Sequence, residues 1–185
     1  MNGKMKRKIR DRRGLTIGEL MVTLLIMVMV AGVVAAGVPM AARVYKQVIE
    51  SANAQLLLST TMTALRNELE TANDDGITCI SATEDTGAKV NYYSTTTLYT
   101  TIASSSEGIL FMPYESGSFE ENTTYSRELV SRATANMNLH TEFSSITYEN
   151  GMFTIKGLVV KKGDTELAGS SKDDNIYYIR SLKAK

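Results

Sequence analysis

Residues 20–42 read LMVTLLIMVMVAGVVAAGVPMAA, a run of 23 residues without a charged side chain. Coiled as a helix, such a run reaches roughly 35 Å, against about 30 Å of bilayer hydrocarbon. Ten of its residues are Leu, Ile or Val. At roughly −0.3 to −0.6 kcal/mol each on the insertion scale they favour the membrane by about 3–6 kcal/mol, which outweighs Glu19 at the edge. The segment is therefore expected to cross a bilayer.

Charge sets the expected orientation. Lys4, Lys6, Arg7, Lys8, Arg10, Arg12 and Arg13 precede the run with only Asp11 opposing them, a net of +6. From Leu15 onward 13 basic residues face 19 acidic ones, leaving −6 and no basic face suited to nucleic acid. Basic residues before the span and few just after it predict a cytoplasmic N-terminus, with everything beyond Arg43 outside. Two other readings of the segment stay open: a secretory signal peptide with small residues at Val34, Ala35 and Ala36, and an uncut signal anchor. A signal peptide explains neither Gly14 nor Glu19, and its apolar region would be long.

The junction before the span reads Arg12-Arg13-Gly14-Leu15-Thr16-Ile17-Gly18-Glu19-Leu20. It resembles the processing site of the type IV pilin and type II secretion pseudopilin superfamily. That resemblance implies a membrane prepilin peptidase cutting between Gly14 and Leu15, N-methylation of Leu15, and an assembly role for Glu19, fifth in the mature chain. Leu15 stands where the family usually has Phe, and Ile17-Gly18 where it usually has Leu-Ile. Gly18 costs a first helical turn about 1 kcal/mol relative to Ala.

The chemistry of the site has its own logic. Gly14 has no side chain, so extended backbone can enter a protease cleft closely. Cleavage would remove the seven leader cations. It would also create an α-amine, with an ordinary pKa of about 7.7–8.0, four residues before Glu19 on one helical face. A carboxylate unpaired in hydrocarbon costs several kcal/mol, so pairing Glu19 with an amine, its own or a neighbour's, would favour one axial register. The competing reading is an interfacial carboxylate that only reaches headgroup water.

Helical spacing continues beyond the span. Val44, Val48, Ala52 and Leu56, then Leu58, Met62, Leu65, Leu69 and Ala72, recur at threes and fours. A helix from Thr16 to Ala72 would be roughly 85 Å long, and its outer half needs a partner outside the membrane. By resemblance that partner is an antiparallel sheet. Pro39 removes a helical hydrogen bond at about 3 kcal/mol, so a kink or local melting is expected there.

From Asn73 onward, short runs of Thr, Tyr, Ile and Val punctuated by Asp and Gly read as strands. Asn73-Asp74-Asp75-Gly76 is expected to stop the helix. Strands are predicted over 77–82, 88–99, 108–112, 143–149, 152–161 and 175–182. Asn150-Gly151 marks a type I′ hairpin, and Lys162-Gly163-Asp164 a further turn. The segment 129–139 reads equally as strand or helix, and the Ser/Thr-rich segment 94–106 as an exposed loop or edge. The expected plan is α+β: a leader over 1–14, a transmembrane helix over 15–42, its outer half over 43–72, and a β-rich extracytoplasmic domain over 73–185.

Nothing in the sequence points to an enzyme. His140 is the only histidine, and no phosphate loop or metal-ligand spacing occurs. The acidic pairs Glu84-Asp85 and Asp173-Asp174 read as solvated turns before they read as calcium ligands. The sequon Asn122-Thr123-Thr124 carries weight only in a glycosylating host. Cys79 is the single cysteine, so no intrachain disulfide is expected; no cofactor is expected either. The expected function is a structural subunit, major or minor pilin or pseudopilin, with other pilin subunits and the membrane as partners. By resemblance it would also meet a prepilin peptidase, an assembly ATPase and a platform membrane protein. The alternatives are a single-pass extracytoplasmic binding module that does not polymerise, and an exported enzyme.

Overall fold

The computed structural model describes residues 16–82, 87–94, 98–106, 108–115, 126–130, 138–172 and 174–183. Helix α1 runs from Ile17 to Glu70. It is followed by β1 (Asn73–Ile80), β2 (Lys89–Tyr93), β3 (Leu98–Ser105), β4 (Gly108–Glu115), β5 (Arg127–Glu128), β6 (Leu139–Glu142), β7 (Ser145–Glu149), β8 (Met152–Lys156), β9 (Val159–Lys162), β10 (Thr165–Gly169) and β11 (Ile176–Arg180). The α+β layout expected from the sequence is present: one long apolar N-terminal helix, then antiparallel sheet. The strands form three sheets, ordered β1-β2-β3-β4-β5, β10-β9-β6 and β11-β8-β7. The chain divides into two compact units, Met1–Lys46 and Gln47–Lys185.

In the first unit every described residue, from Thr16 to Lys46, is exposed. The helix passes through Pro39 without a break in its helical assignment. The expected local melting is therefore not seen, although Pro39 still leaves the Ala35 carbonyl without its usual donor.

The second unit is built on two apolar clusters. Leu65, Leu69 and Ala72 pack with Val90, Tyr92, Ile102, Phe111, Ile146, Phe153, Ile155 and Ile179, while Ala54 and Leu57 pack with Leu139 and Val160. The buried stripe of α1 is thus Ala54, Leu57, Thr61, Leu65 and Leu69. Half of the expected stripe is corrected by this: Val44, Val48, Ala52 and Leu56 are exposed. Spacings of three and four define a stripe but not which of two adjacent stripes meets the sheet. Lys162 of β9 pins this stretch by pairing with Glu50 at 2.7 Å.

Several strand expectations also change. The Asn73-Asp74-Asp75-Gly76 run follows a helix that already ends at Glu70, and it opens β1 instead of forming a turn. Tyr148 donates a hydrogen bond to Asp74. The segment 94–106, expected to be exposed, contributes β3, the middle strand of the larger sheet. Thr100, Thr101, Ile102 and Ser104 are buried there. Two of the three buried hydroxyls find partners: Thr101 Oγ1 donates to Asn91 at 2.9 Å, and Ser104 Oγ accepts from the Phe143 amide at 2.9 Å, whereas Thr100 Oγ1 has none among the described residues. The span expected as one strand over 88–99 accordingly divides between β2 and β3.

The strand expected over 152–161 breaks at Gly157-Leu158, sending β8 and β9 into different sheets. Gly157 sits at φ +66°, and a Cβ there would lie 2.1 Å from Ser144 Oγ, so only glycine fits. The undecided 129–139 segment ends at the start of β6, and residues 131–137 lie outside those described. The Asn150-Gly151 hairpin is as expected. It joins β7 to β8 with Glu149 opposite Met152, at φ of 52° and 78°, both left-handed as a type I′ turn requires. The Gly163-Asp164 turn joins β9 to β10, a strand the sequence reading lacked.

Candidate processing and assembly site

Gly14, Leu15 and the basic leader lie outside the described residues, as do Glu84, Asp85, Asp173 and the sequon at Asn122. The site can be built from Thr16 onward. Its sequence, Thr16-Ile17-Gly18-Glu19, places a hydroxyl and a carboxylate three residues apart at the start of an apolar run. In the structure each satisfies the other's backbone. Thr16 Oγ1 accepts from the Glu19 amide at 3.3 Å, and Glu19 Oε2 accepts from the Thr16 amide at 3.0 Å. The Thr16 hydroxyl also donates to Glu19 Oε2 at 3.2 Å.

This is a capping box, in which otherwise unpaired amides of the first turn are closed by side chains. The Glu19 carboxylate also lies in the first turn, at the positive end of the helix dipole. Thr23 continues the local polar pattern by donating to the Glu19 and Leu20 carbonyls, both at 2.9 Å. Glu19 therefore enters the apolar segment already holding two donors, from the amide and hydroxyl of one residue. The sequence expectations pair Glu19 with an amine or with headgroup water, and the structure adds Thr16 as its partner. The T-x-x-E spacing was the available signal.

Beyond this box, α1 has the length and apolarity to cross a membrane, and none of its most apolar stretch is buried. Ile17, Leu20, Met21, Leu24, Leu25, Met27, Met29 and Val33 are each more than half exposed. A soluble monomer rarely leaves a contiguous apolar patch beyond a few hundred Å² uncovered.

Among the described residues no three of His, Cys, Asp and Glu are grouped to hold a metal ion. His140 Nε2 lies 3.1 Å from Glu142 Oε1, and the other oxygen of Glu142 takes Lys161 Nζ at 2.7 Å. Glu142 of β6 thus ties its strand neighbour His140 to Lys161 of β9. The recess beside it, lined by Leu57, Ile109, Val130, Leu139 and His140, has a cavity volume of only about 10 Å³. Ligand pockets are commonly about 300–1,000 Å³. Cys79 on β1 is half-buried, and burial pushes its thiol up to about 11, away from the reactive thiolate. Compared with known proteins, the chain matches no family model, no curated protein and no solved structure.

Proposed function

We propose that this chain is a structural subunit of a membrane-derived filament, of pilin or pseudopilin type, released for assembly by a cut between Gly14 and Leu15. The observation that carries the reading is the bare apolar half of α1, headed by an acidic residue. Every residue from Thr16 to Val48 is exposed, and Glu19 closes the helix start. Lipid covers such a surface in a monomer, and helices of other copies cover it in a filament. The local match of Arg12 to Leu20 to a prepilin junction supports the filament over a simple anchor.

On this reading the N-terminus starts in the cytoplasm, the chain spans the membrane once, and the β-bearing unit lies outside before extraction into the filament. A prepilin peptidase, an assembly ATPase and a platform membrane protein are the partners the resemblance brings with it. Glu19 acts by position: bound to Thr16 before assembly, it meets a free α-amine once the leader is gone, and a matched charge pair selects one axial register. Pro39 supplies a weak point in the helix, where one carbonyl lacks its donor.

Mass spectrometry of the purified mature chain tests the proposal. A methylated Leu15 at the N-terminus is the expected result. An intact Met1 would leave a membrane-anchored binding module, and a start near Gly37 a secreted protein; either overturns the filament reading.

A further inference from the structure

Strand β11 pairs with β8 on one side, and among the described residues its other side has no strand partner. Edge strands are normally blunted by lysine, proline or a bulge. β11 reads Ile176-Tyr177-Tyr178-Ile179-Arg180, keeps a regular register against β8 throughout, and is charged only at its last residue. Tyr177 and Ile179 face the core, whereas Tyr178 is 60% exposed and Ile176 37% exposed on the outer face.

The hydrogen-bond parity of the free edge follows from two bonds that flank the strand. Gly157 donates to the Asn175 carbonyl at 3.0 Å, and Ser181 donates to the Gly151 carbonyl at 2.9 Å. In an antiparallel pair such residues alternate, so the odd-numbered residues of β11 address β8. The amides and carbonyls of Ile176, Tyr178 and Arg180 therefore point to the open side.

We propose that this edge is an interface with a second copy of the same chain, formed by antiparallel β11–β11 pairing about a two-fold axis at Tyr177. In that register Ile176 lies opposite Tyr178 of the second copy, and both carry their hydrogen-bonding groups on the facing edge. Asp174, exposed in the turn that leads into the strand, where the Asn175 amide donates to the Lys172 carbonyl at 3.1 Å, comes to the same end of the pairing as Arg180 of the second copy, and symmetry repeats each pair. Opposite charges and an aromatic–aliphatic pair directly across strands are each stabilising. Shifting the axis to Tyr178 keeps the hydrogen-bond parity but sets Ile176 against Arg180 and loses both charge pairs. Charge therefore selects the occupant and the register together.

Cysteine cross-linking of the full chain in detergent, in a Cys79→Ser background, tests this. Directly opposed residues of this type have Cα atoms about 5.5 Å apart, within disulfide reach. A mixture of Ile176→Cys and Tyr178→Cys chains should give a covalent dimer at least several-fold above either chain alone and above Thr147→Cys, placed on β7. Tyr178→Pro, which removes an amide facing the open edge and is tolerated on edge strands, should abolish the dimer while the thermal midpoint holds. Arg180→Glu should weaken it several-fold, and adding Asp174→Arg should restore it. No excess in the mixture over the Thr147→Cys control, or an equal yield from Tyr178→Cys alone, overturns the proposal. The uncut chain serves for all of these, so the result is independent of cleavage after Gly14.

Discussion

The two halves of α1 use the same kind of residue in opposite ways. Between Leu20 and Ala42 the helix is apolar around its whole circumference and buries nothing within the chain. Between Ala54 and Leu69 it is amphipathic, and one stripe of it closes two apolar clusters against the sheets. An all-round apolar helix must find its partner in lipid or in other copies, whereas a striped helix finds one in its own fold. Apolarity alone therefore does not say where stability comes from. The distribution around the helix does.

The largest expected effect would test that contrast directly. Leu65 is fully buried and Leu24 is 59% exposed. Leu65→Ala should lower the stability of the β-bearing unit by about 2–5 kcal/mol in urea titrations of the detergent-solubilised chain, through lost burial plus a cavity. Leu24→Ala should leave that transition unmoved. Equal losses from both would erase the distinction between the halves.

A smaller effect is expected at the start of the bare half. Removing the Thr16 hydroxyl with Thr16→Ala should cost about 0.5–2 kcal/mol of helix stability, confined to the first turn. Amide exchange at Gly18, Glu19 and Leu20 should accelerate accordingly, while exchange in the Ala54–Leu69 stretch stays the same. A change spread along the whole helix would mean that the two halves are coupled.

The smallest effect concerns the anchor just beyond the buried half. Burial and the Asp74 carboxylate push the Tyr148 hydroxyl up to about 12, from an ordinary value of 10.0. A pKa raised in the folded state means that its contribution to stability is complete below pH 10 and is lost as pH climbs toward 12. Thermal midpoints followed from pH 9 to 12 should fall, and Tyr148→Phe should flatten part of that fall. Cys79 adds to the same alkaline loss between about 9 and 11, and Cys79→Ser removes that share.

Much of the plan was legible in the residues. The charge-free run 20–42, the β texture after Asn73 and the Asn150-Gly151 turn each rest on local rules that tertiary contacts did not override. The capping box was equally local, and assigning Glu19 to an amine or to headgroup water overlooked Thr16. Other features were not legible. Thr and Ser in 98–105 read as solvent-facing until Asn91 and the Phe143 amide supply partners from distant positions. Gly157 inside an apolar run gives no sign of splitting it until Ser144 closes over the site.

The sequence by itself determined that one segment must leave water, that its basic flank differs from its acidic remainder, and that strands follow the helix. These depend on composition and on neighbours within a few residues. Tertiary structure alone decided which of two adjacent stripes of α1 is buried, that β3 occupies the middle of its sheet, and that β11 is left at an edge. Those outcomes depend on which surfaces meet across long separations in the chain, and periodicity is the same for a stripe that finds a partner and one that does not.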